Sequence, residues 1–356
     1  AAGVAGFRCD APARVPAALW RRLTSALPDC RFLAWTVGLP APEAPLLAGA
    51  GFTATFDSLA WWDLRGSWLA EEAARLAPIA PPIATVEAPF GPRLAAGIDD
   101  PLLAERAARR HLRLAAGIGA GMLMPMGFEY GARRPLDPAR DRPGDWQWLQ
   151  ANPGCDLCAD IRGANACLAT RRLQPAELRP LSGPGAPVAA LLRADAADAR
   201  NARAATLVLA NPDLRAGASA PAAALLPGMG GGFARFNPVS PRVGEAVVPG
   251  VTLHLDPGEV KLFEAEPPRP ILEPEIPPPD RRAQAEVEGA IAAARAPRIA
   301  IEAITPAVDG GRFPVKCVLG EVVEVAADLI CDGHDKIAGA LLWRAADETE
   351  WRGVRL

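Results

Sequence analysis

The residues best suited to chemistry stand in the run from Gly6 to Asp10, where an arginine and an aspartate are two positions apart. Residues 4–9 predict a short β-strand, which ends at Asp10. A carboxylate at the carboxyl end of a parallel strand points into a site built by the following loops. Arg8 would stabilise its ionised form, which suits a nucleophile that attacks the anomeric carbon of a sugar. The alternative interpretation is a structural Arg–Asp pair at a strand end.

Strand-like and helix-like segments alternate through residues 1–150. Apolar runs predict strands over residues 4–9, 30–37, 51–56, 83–86 and 119–126. Helical spacing predicts helices over residues 16–27, 68–76 and 101–116. The third helix is basic, and we expect its His111 to lie at or near the surface. This alternation predicts βα units and a parallel sheet.

The pattern changes from about residue 184 onward. Apolar runs separated by turns predict an all-β module over residues 184–265. Residues 266–280 contain seven prolines in fifteen positions, which predicts a semi-rigid linker. A short helix is expected over residues 281–296. Strand-like runs at 298–304, 322–329 and 338–344 then predict the beginning of a second β module.

Five segments of the first half resemble the α-amylase family of retaining glycosidases and transglycosylases, in the order that the family's strands four to eight would require. They are Gly6–Asp10, Phe32–Gly38, Phe56–Trp62, Glu87–Leu94 and Met122–Gly131. The resemblance implies that residues 1–176 form the C-terminal half of a TIM (β/α)8 barrel. It also implies that residues 184–265 form the β-sandwich that follows such a barrel.

A second resemblance covers residues 298–356, through Arg298–Glu302 and Val308–Lys316. These segments are similar to the opening N-terminal β-domain of the bacterial α-1,4-glucan:maltose-1-phosphate maltosyltransferases. The resemblance implies that residues 281–356 start a partial second β-sandwich. It implies α-1,4-glucan and maltose-1-phosphate as substrates. We expect no cofactor, and a homodimer is one option for the assembly. We expect the chain to be a fragment of a longer maltosyl-transferring enzyme, whose own catalytic barrel would lie beyond Leu356.

Two departures from the amylase pattern affect the predicted chemistry. Asp10 stands at the nucleophile position, but the family's general acid is replaced by Trp35 and its third carboxylate by Phe90. An indole has no titrating proton to donate, and loss of a general acid removes a factor of about 10²–10⁴ in rate. We therefore predict that this amylase-like part is inactive. An active α-glucan hydrolase would need a replacement acid, for which Glu87 is the nearest carboxylate in sequence to the lost third position.

Two roles stay open for the altered pocket. Trp35 and Phe90 can plug the former cleft, which is the interpretation that we favour. Alternatively, they can form an aromatic floor for a non-catalytic glucan-binding or assembly module, with the guanidinium groups of Arg8, Arg14 and Arg93 holding hydroxyls or a phosphate.

Composition excludes several other functions for this chain of 356 residues. A net charge of -3 argues against a nucleic-acid partner, and no apolar run reaches the length of a membrane-spanning helix. The seven cysteines are odd in number, and no export signal precedes them. Reduced thiols in the cytoplasm are therefore expected. Neither their spacing nor that of the three histidines predicts a metal site.

Overall fold

The structure, a computed structural model, describes residues 3–135, 137, 139–169, 176–196, 202–225, 233, 235–240, 246–248, 250–266, 289, 291, 299–331 and 336–356. The chain divides into two compact units, Ala1–Pro268 and Arg269–Leu356. Residues 267–280 of the predicted linker lie outside the described residues. So does the predicted helix over residues 281–296, apart from two positions.

The first part of unit 1 is built on a five-stranded parallel sheet. Its strands are β1 Gly6–Cys9, β2 Arg31–Ala34, β3 Ala54–Phe56, β4 Pro82–Thr85 and β5 Gly121–Leu123. They are hydrogen-bonded in sequence order, and every neighbouring pair is parallel. All five carboxyl ends therefore meet at one edge of the sheet. The predicted strands are thus present; four of them are shorter than their apolar runs, and β4 has the predicted length but begins one residue earlier.

Helices connect these strands or follow them. They are α1 Ala17–Ala26, α2 Trp68–Leu76, α3 Pro101–Ile118, α4 Pro143–Ala151 and α5 Cys158–Ala169. Short 3-10 helices occupy Pro12–Arg14, Ala44–Leu47, Leu59–Trp61, Leu94–Gly97 and Phe128–Tyr130. The carboxylate of Asp100 caps α3 by accepting from the backbone N–H groups of Leu102 and Leu103, and Pro101 occupies the first turn, where its missing N–H costs nothing.

The second part of unit 1 is antiparallel. Its strands are β6 Glu177–Pro180, β7 Ala189–Ala194, β8 Ala205–Ala210, β9 Ala218–Pro221, β10 Arg235–Ser240, β11 Thr252–Leu255 and β12 Val260–Glu266, with the short helix α6 Ala222–Leu225. Five strands form a sheet in the order β10-β12-β8-β7-β6, and β11 pairs with β9. Strands β6, β9 and β10 were not predicted, because short edge strands carry little hydrophobic pattern.

Helix α3 packs between the two sheets of unit 1. It contacts β4 and β5 on one side and β8 and β12 on the other, and its apolar residues belong to a buried cluster that includes Leu112, Leu114 and Val208. His111 lies in this interface with 5% of its surface exposed, so the prediction of a surface position was wrong. A basic helix buried on both sides has too few solvent-facing positions for all of its polar residues, and the packing decided which ones were covered.

Unit 2 contains two antiparallel pairs among its described residues. Strand β13 Ile299–Thr305 pairs with β14 Ala326–Cys331, and β15 Ala340–Trp343 pairs with β16 Arg352–Arg355. None of the described residues of this unit is buried. Large apolar side chains such as those of Val322 and Leu319 stay exposed. Isolated two-stranded sheets without a covered face are marginally stable at best.

Hydrogen exchange of the 356-residue chain should distinguish the two units. We expect the amides of β13–β16 to exchange at least roughly 100-fold faster than those of β7 and β8, because protection follows burial and cooperative packing. Mass spectrometry of peptides from both regions measures this difference directly. The internal control is β8, in which all six residues are buried. Equal protection of β14 and β8 would contradict the prediction.

Candidate functional site

The candidate site lies at the carboxyl edge of the parallel sheet, where β1, β2 and β4 end. Asp10 directly follows β1, and Trp35 directly follows β2. The backbone N–H of Trp35 donates to the carbonyl of Cys9 at 2.9 Å, which fixes the two strand ends side by side. Phe90 lies in the loop that follows β4. The topology therefore brings together three residues that are up to 80 positions apart, at the edge where open α/β sheets bind ligands.

Arg8 and Asp10 form an ion pair at this edge. The Nε of Arg8 donates to Oδ1 of Asp10 at 3.0 Å and its Nη2 donates to Oδ2 at 3.4 Å, so the contact is bidentate. Alternation along β1 places both side chains on the same face, with the buried Cys9 between them facing the core. Both oxygens of Asp10 are thus engaged by the guanidinium group. The backbone is left-handed at Ala11, with φ of 47°, so the chain turns sharply directly after Asp10.

Two aromatic rings hold the Arg8 guanidinium group in this position. Its Cζ lies 4.9 Å from the ring centroid of Phe90 and 5.4 Å from that of Trp35. The two rings meet edge to face at 6.2 Å, and Trp35 also packs against Phe56 at 5.1 Å. Both arginine distances are within the range of cation–π attraction. We call Arg8, Asp10, Trp35 and Phe90 the aromatic clamp.

The aromatic clamp is open to solvent. Phe90 keeps 72% of its surface exposed, Asp10 is exposed, and Trp35 is half-buried. The exposure of Phe90 argues against the interpretation that Trp35 and Phe90 plug the former cleft. The Phe90 ring covers the arginine from one side and presents its other surface to solvent.

The other two predicted binding arginines lie elsewhere. Arg14 is exposed at the end of its 3-10 helix. The Arg93 side chain is only 2% exposed and forms an ion pair with Glu87. Its Nη1 also donates to the carbonyl of Met126 at 3.0 Å. Arg93 thus ties the loop after β4 to the loop after β5, and its charge is paired with Glu87. This geometry argues against the predicted role of Arg93 as a sugar or phosphate ligand.

The Glu87 carboxylate is equally enclosed. Its side chain is 3% exposed, and its Oε2 accepts from the backbone N–H of Leu94 at 3.0 Å. A general acid must reach the leaving oxygen of the substrate within hydrogen-bond distance. A carboxylate that is buried and paired with a guanidinium group does not present such a proton. This geometry argues against Glu87 as the replacement acid.

Two titratable groups of unit 1 are buried, although their burial was not predicted from the sequence. Asp57 follows β3 directly and is 4% exposed; its Oδ1 accepts from the N–H groups of Leu59 and Thr85. Burial, and to a smaller extent the charge of Glu72, raises the pKa of Asp57 to about 7. The position of Asp57 directly after an apolar strand could have identified it from the sequence. Burial, together with the charge of Arg110, lowers the pKa of His111 to about 3.

Three further predictions, on metal sites, cysteines and membrane-spanning helices, concern the described residues. No group of three or more potential metal ligands lies together in that part of the chain. Its seven cysteines are all free. No helix in the described ranges has the length and apolar character that crossing a bilayer requires.

Comparison with protein families relates the chain to one group of enzymes. Residues 297–356 match the family model for α-1,4-glucan:maltose-1-phosphate maltosyltransferase, domain N/S. The maltosyltransferase of this name from Burkholderia pseudomallei (strain K96243) is 40% identical over 374 residues, which cover 99% of this chain and 32% of that protein. Its counterpart from Cereibacter sphaeroides is 48% identical over 59 residues, 17% of this chain and 10% of that protein. The chain thus spans a minor part of the length of both relatives.

Solved structures show the same fold. A variant of AmyP in complex with maltotriose is similar with a TM-score of 0.51 and 14% identity, over 74% of this chain and 65% of that chain. AmyP in complex with maltose is similar with a TM-score of 0.50 and 13% identity, over 73% of this chain and 64% of that chain. The parallel sheet followed by antiparallel sheets is thus an amylase-like arrangement.

Proposed function

We propose that this chain is part of an α-1,4-glucan:maltose-1-phosphate maltosyltransferase, and that its amylase-like portion, residues 1–176, neither hydrolyses nor transfers sugars. Whole-chain similarity to the Burkholderia pseudomallei enzyme supports the first statement. The aromatic clamp supports the second. The sequential, all-parallel order of β1–β5 fits an arc of a (β/α)8 barrel, and the antiparallel sheet fits the sandwich that follows it.

The observation that carries the proposal is the state of Asp10. A retaining mechanism needs a nucleophilic carboxylate and a general acid about 5–5.5 Å apart. In this structure both carboxylate oxygens of Asp10 are hydrogen-bonded to Arg8, and aromatic rings hold Arg8 in place. Trp35 and Phe90 thus replace two carboxylates of the amylase pattern. They also hold the Arg8 guanidinium group against the carboxylate of Asp10.

The activity of the full-length maltosyltransferase that is proposed to contain this chain tests the second statement. We call that full-length enzyme the intact protein. We expect Asp10→Asn to leave maltosyl transfer from maltose-1-phosphate to glycogen unchanged within about twofold, because the substituted carboxylate does no chemistry. The rate of phosphate release at saturating substrate measures the effect. Arg8→Ala, which frees Asp10, is the matched variant and should also leave the rate unchanged. A fall of 100-fold or more in Asp10→Asn, with normal folding, would contradict the proposal.

Binding without catalysis is the second candidate function, and the exposure of Phe90 favours it. Aromatic faces stack on the apolar faces of sugar rings, and guanidinium groups donate to hydroxyls. The aromatic clamp presents one exposed ring and one half-buried ring beside a cation whose charge is balanced by Asp10. Such a surface suits a neutral α-1,4-glucan chain.

Glycogen affinity of the intact protein tests the binding role. We expect Phe90→Ala to weaken binding about tenfold, or about 1.4 kcal/mol, because one stacking surface is lost. The matched control is Trp148→Ala, which removes an aromatic side chain that is 65% exposed on α4. Affinity gel electrophoresis compares the two variants. Equal retardation of both would leave the aromatic clamp without a binding role.

A further inference from the structure

A cavity in unit 1 lies apart from the aromatic clamp. Its volume is about 380 Å³, and it is formed between the segment that leads into α2 and the hairpin that joins β6 to β7. Its walls include Trp62, Leu64, Arg65, Ser67, Ser182 and Leu191. None of the residues that line it belongs to the aromatic clamp. Its size falls within the range of small-molecule sites, and such sites favour the junctions between structural layers.

The segment 62–67 on one side of the cavity has a fixed and strained backbone. Leu64 is buried yet has φ of 59°, a left-handed conformation that costs a non-glycine residue about 1–3 kcal/mol. Two hydrogen bonds hold this turn, because Oδ1 of Asp63 accepts from the N–H groups of Arg65 at 3.0 Å and Gly66 at 2.9 Å. The indole Nε1 of Trp62 donates to the carbonyl of Gly66 at 2.8 Å. These contacts within the fold maintain the shape of the turn.

Hydrogen bonds also hold the opposite wall. The Nη1 of Arg65 spans the cavity rim and donates to the carbonyl of Ala186 at 2.7 Å. The Oγ of Ser182 accepts from the backbone N–H of Ala190 at 2.8 Å, which leaves the hydroxyl proton to donate. Guanidinium and hydroxyl groups therefore stand beside apolar walls that include Leu64 and Leu191.

The charge of Arg65 acts on two nearby carboxylates. The pKa of Asp63 is lowered, first by the N–H groups of Gly66 and Arg65 and then by the charge of Arg65. The pKa of Asp213 is lowered mainly by the N–H groups of Arg215 and Ala216, and in smaller part by the charges of Arg215 and Arg65. Two carboxylates thus act on the same guanidinium group. The Asp63 carboxylate, which lies against the Arg65 backbone, places a negative charge beside the cavity and favours a neutral polar ligand over an anion.

We infer that this cavity binds a neutral pyranose unit, as a second sugar site that is separate from the aromatic clamp. Its apolar walls cover the carbon-bound faces of a ring, while Arg65 and Ser182 supply polar groups for its hydroxyls. The inference rests on the proposed glucan function for the identity of the sugar. Its location rests on the cavity alone.

Two glycines of the β6–β7 hairpin provide matched variants. Gly183 lines the cavity and Gly185 does not, and a Cβ atom added at either position would have no neighbouring atom within 4 Å. Gly183→Trp therefore places a large ring at the cavity, and Gly185→Trp places the same ring outside it. The Cβ atom of either new side chain fits without a shift of the hairpin.

Methyl NMR of the intact protein with maltose as the probe tests the inference. We expect millimolar maltose to shift the methyl signals of Leu64 and Leu191, and Gly183→Trp to weaken this response at least tenfold while Gly185→Trp leaves it intact. The indole signal of Trp35 reports the aromatic clamp independently. Methyl shifts without an indole shift would support the cavity and contradict the binding role of the clamp.

Other outcomes would overturn the inference. A shift of the Trp35 indole signal without shifts of the Leu64 and Leu191 methyl signals would support sugar binding at the aromatic clamp. It would contradict sugar binding in the cavity. Equal responses in Gly183→Trp and Gly185→Trp would show that maltose does not enter this space. Inorganic phosphate at the same concentration serves as the anionic probe, and methyl shifts with phosphate but not with maltose would reject a neutral ligand.

Discussion

Replacement of Arg93 by methionine is expected to lower the free energy of unfolding of unit 1 by about 3–5 kcal/mol. Its guanidinium group and the Glu87 carboxylate are 2% and 3% exposed. Removal of the cation would leave the carboxylate buried without a counter-charge, which costs more than the loss of an exposed pair. The bond from Arg93 to the Met126 carbonyl, which joins two loops, would also be lost. Urea titration followed by circular dichroism measures the change.

Two controls separate the charge effect from the packing effect. The double variant Glu87→Gln, Arg93→Met removes both charges, so we expect it to recover a large part of the loss. Arg134→Met breaks a pair in which the arginine is 59% exposed, and should change the stability far less than Arg93→Met. If Arg93→Met and Arg134→Met were equally stable, the buried pair would have no special contribution.

The pH dependence of stability is the second prediction with a large effect, and it follows from two buried groups with opposite signs. The pKa of Asp57 is raised from 3.8 to about 7, mainly by burial. Its contribution to stability is therefore complete below pH 3.8 and is lost as pH rises through 7. The pKa of His111 is lowered from 6.5 to about 3, also mainly by burial. Its contribution is complete above pH 6.5 and is lost as pH falls through 3.

The two contributions cancel in the unsubstituted protein between about pH 4 and 6.5, because the unfolded chain gains one proton at the histidine and loses one at the aspartate. Asp57→Asn removes one side of this balance. Relative to the unsubstituted protein, we expect its free energy of unfolding to rise with pH by about 1.4 kcal/mol per unit across that range. His111→Gln should show the opposite slope of similar size.

Urea titrations at several pH values measure these slopes as differences from the unsubstituted protein, so contributions from all other groups cancel. Asparagine keeps an oxygen that can accept from the Leu59 and Thr85 N–H groups, which limits structural damage. Parallel curves for Asp57→Asn and the unsubstituted protein would show that Asp57 titrates normally. The same result for His111→Gln would place the imidazole in contact with water.

The local sequence pattern was sufficient to predict part of the secondary structure of this molecule. Apolar runs and helical spacing predicted the five parallel strands and the helices between them, because each depends on residues a few positions apart. The position of Asp10 at a strand end, and the absence of carboxylates at Trp35 and Phe90, could also be obtained from the sequence through its resemblance to amylases. The short strands β6, β9, β10 and β16 escaped prediction, since long-range pairing stabilises them more than local preference does.

The sequence by itself determined which functional groups are present at the carboxyl edge of the sheet and which acids are lacking. Only the tertiary structure decided what those groups contact. Arg8 lies between two rings that come from other loops, Arg93 is buried against Glu87, and His111 is enclosed between two sheets. Burial and charge pairing depend on residues that are distant in sequence, and no local periodicity encodes them. In the folded chain Arg8 therefore belongs to the aromatic clamp and Arg93 is buried in the core. His111, which was predicted at the surface, lies in the interior.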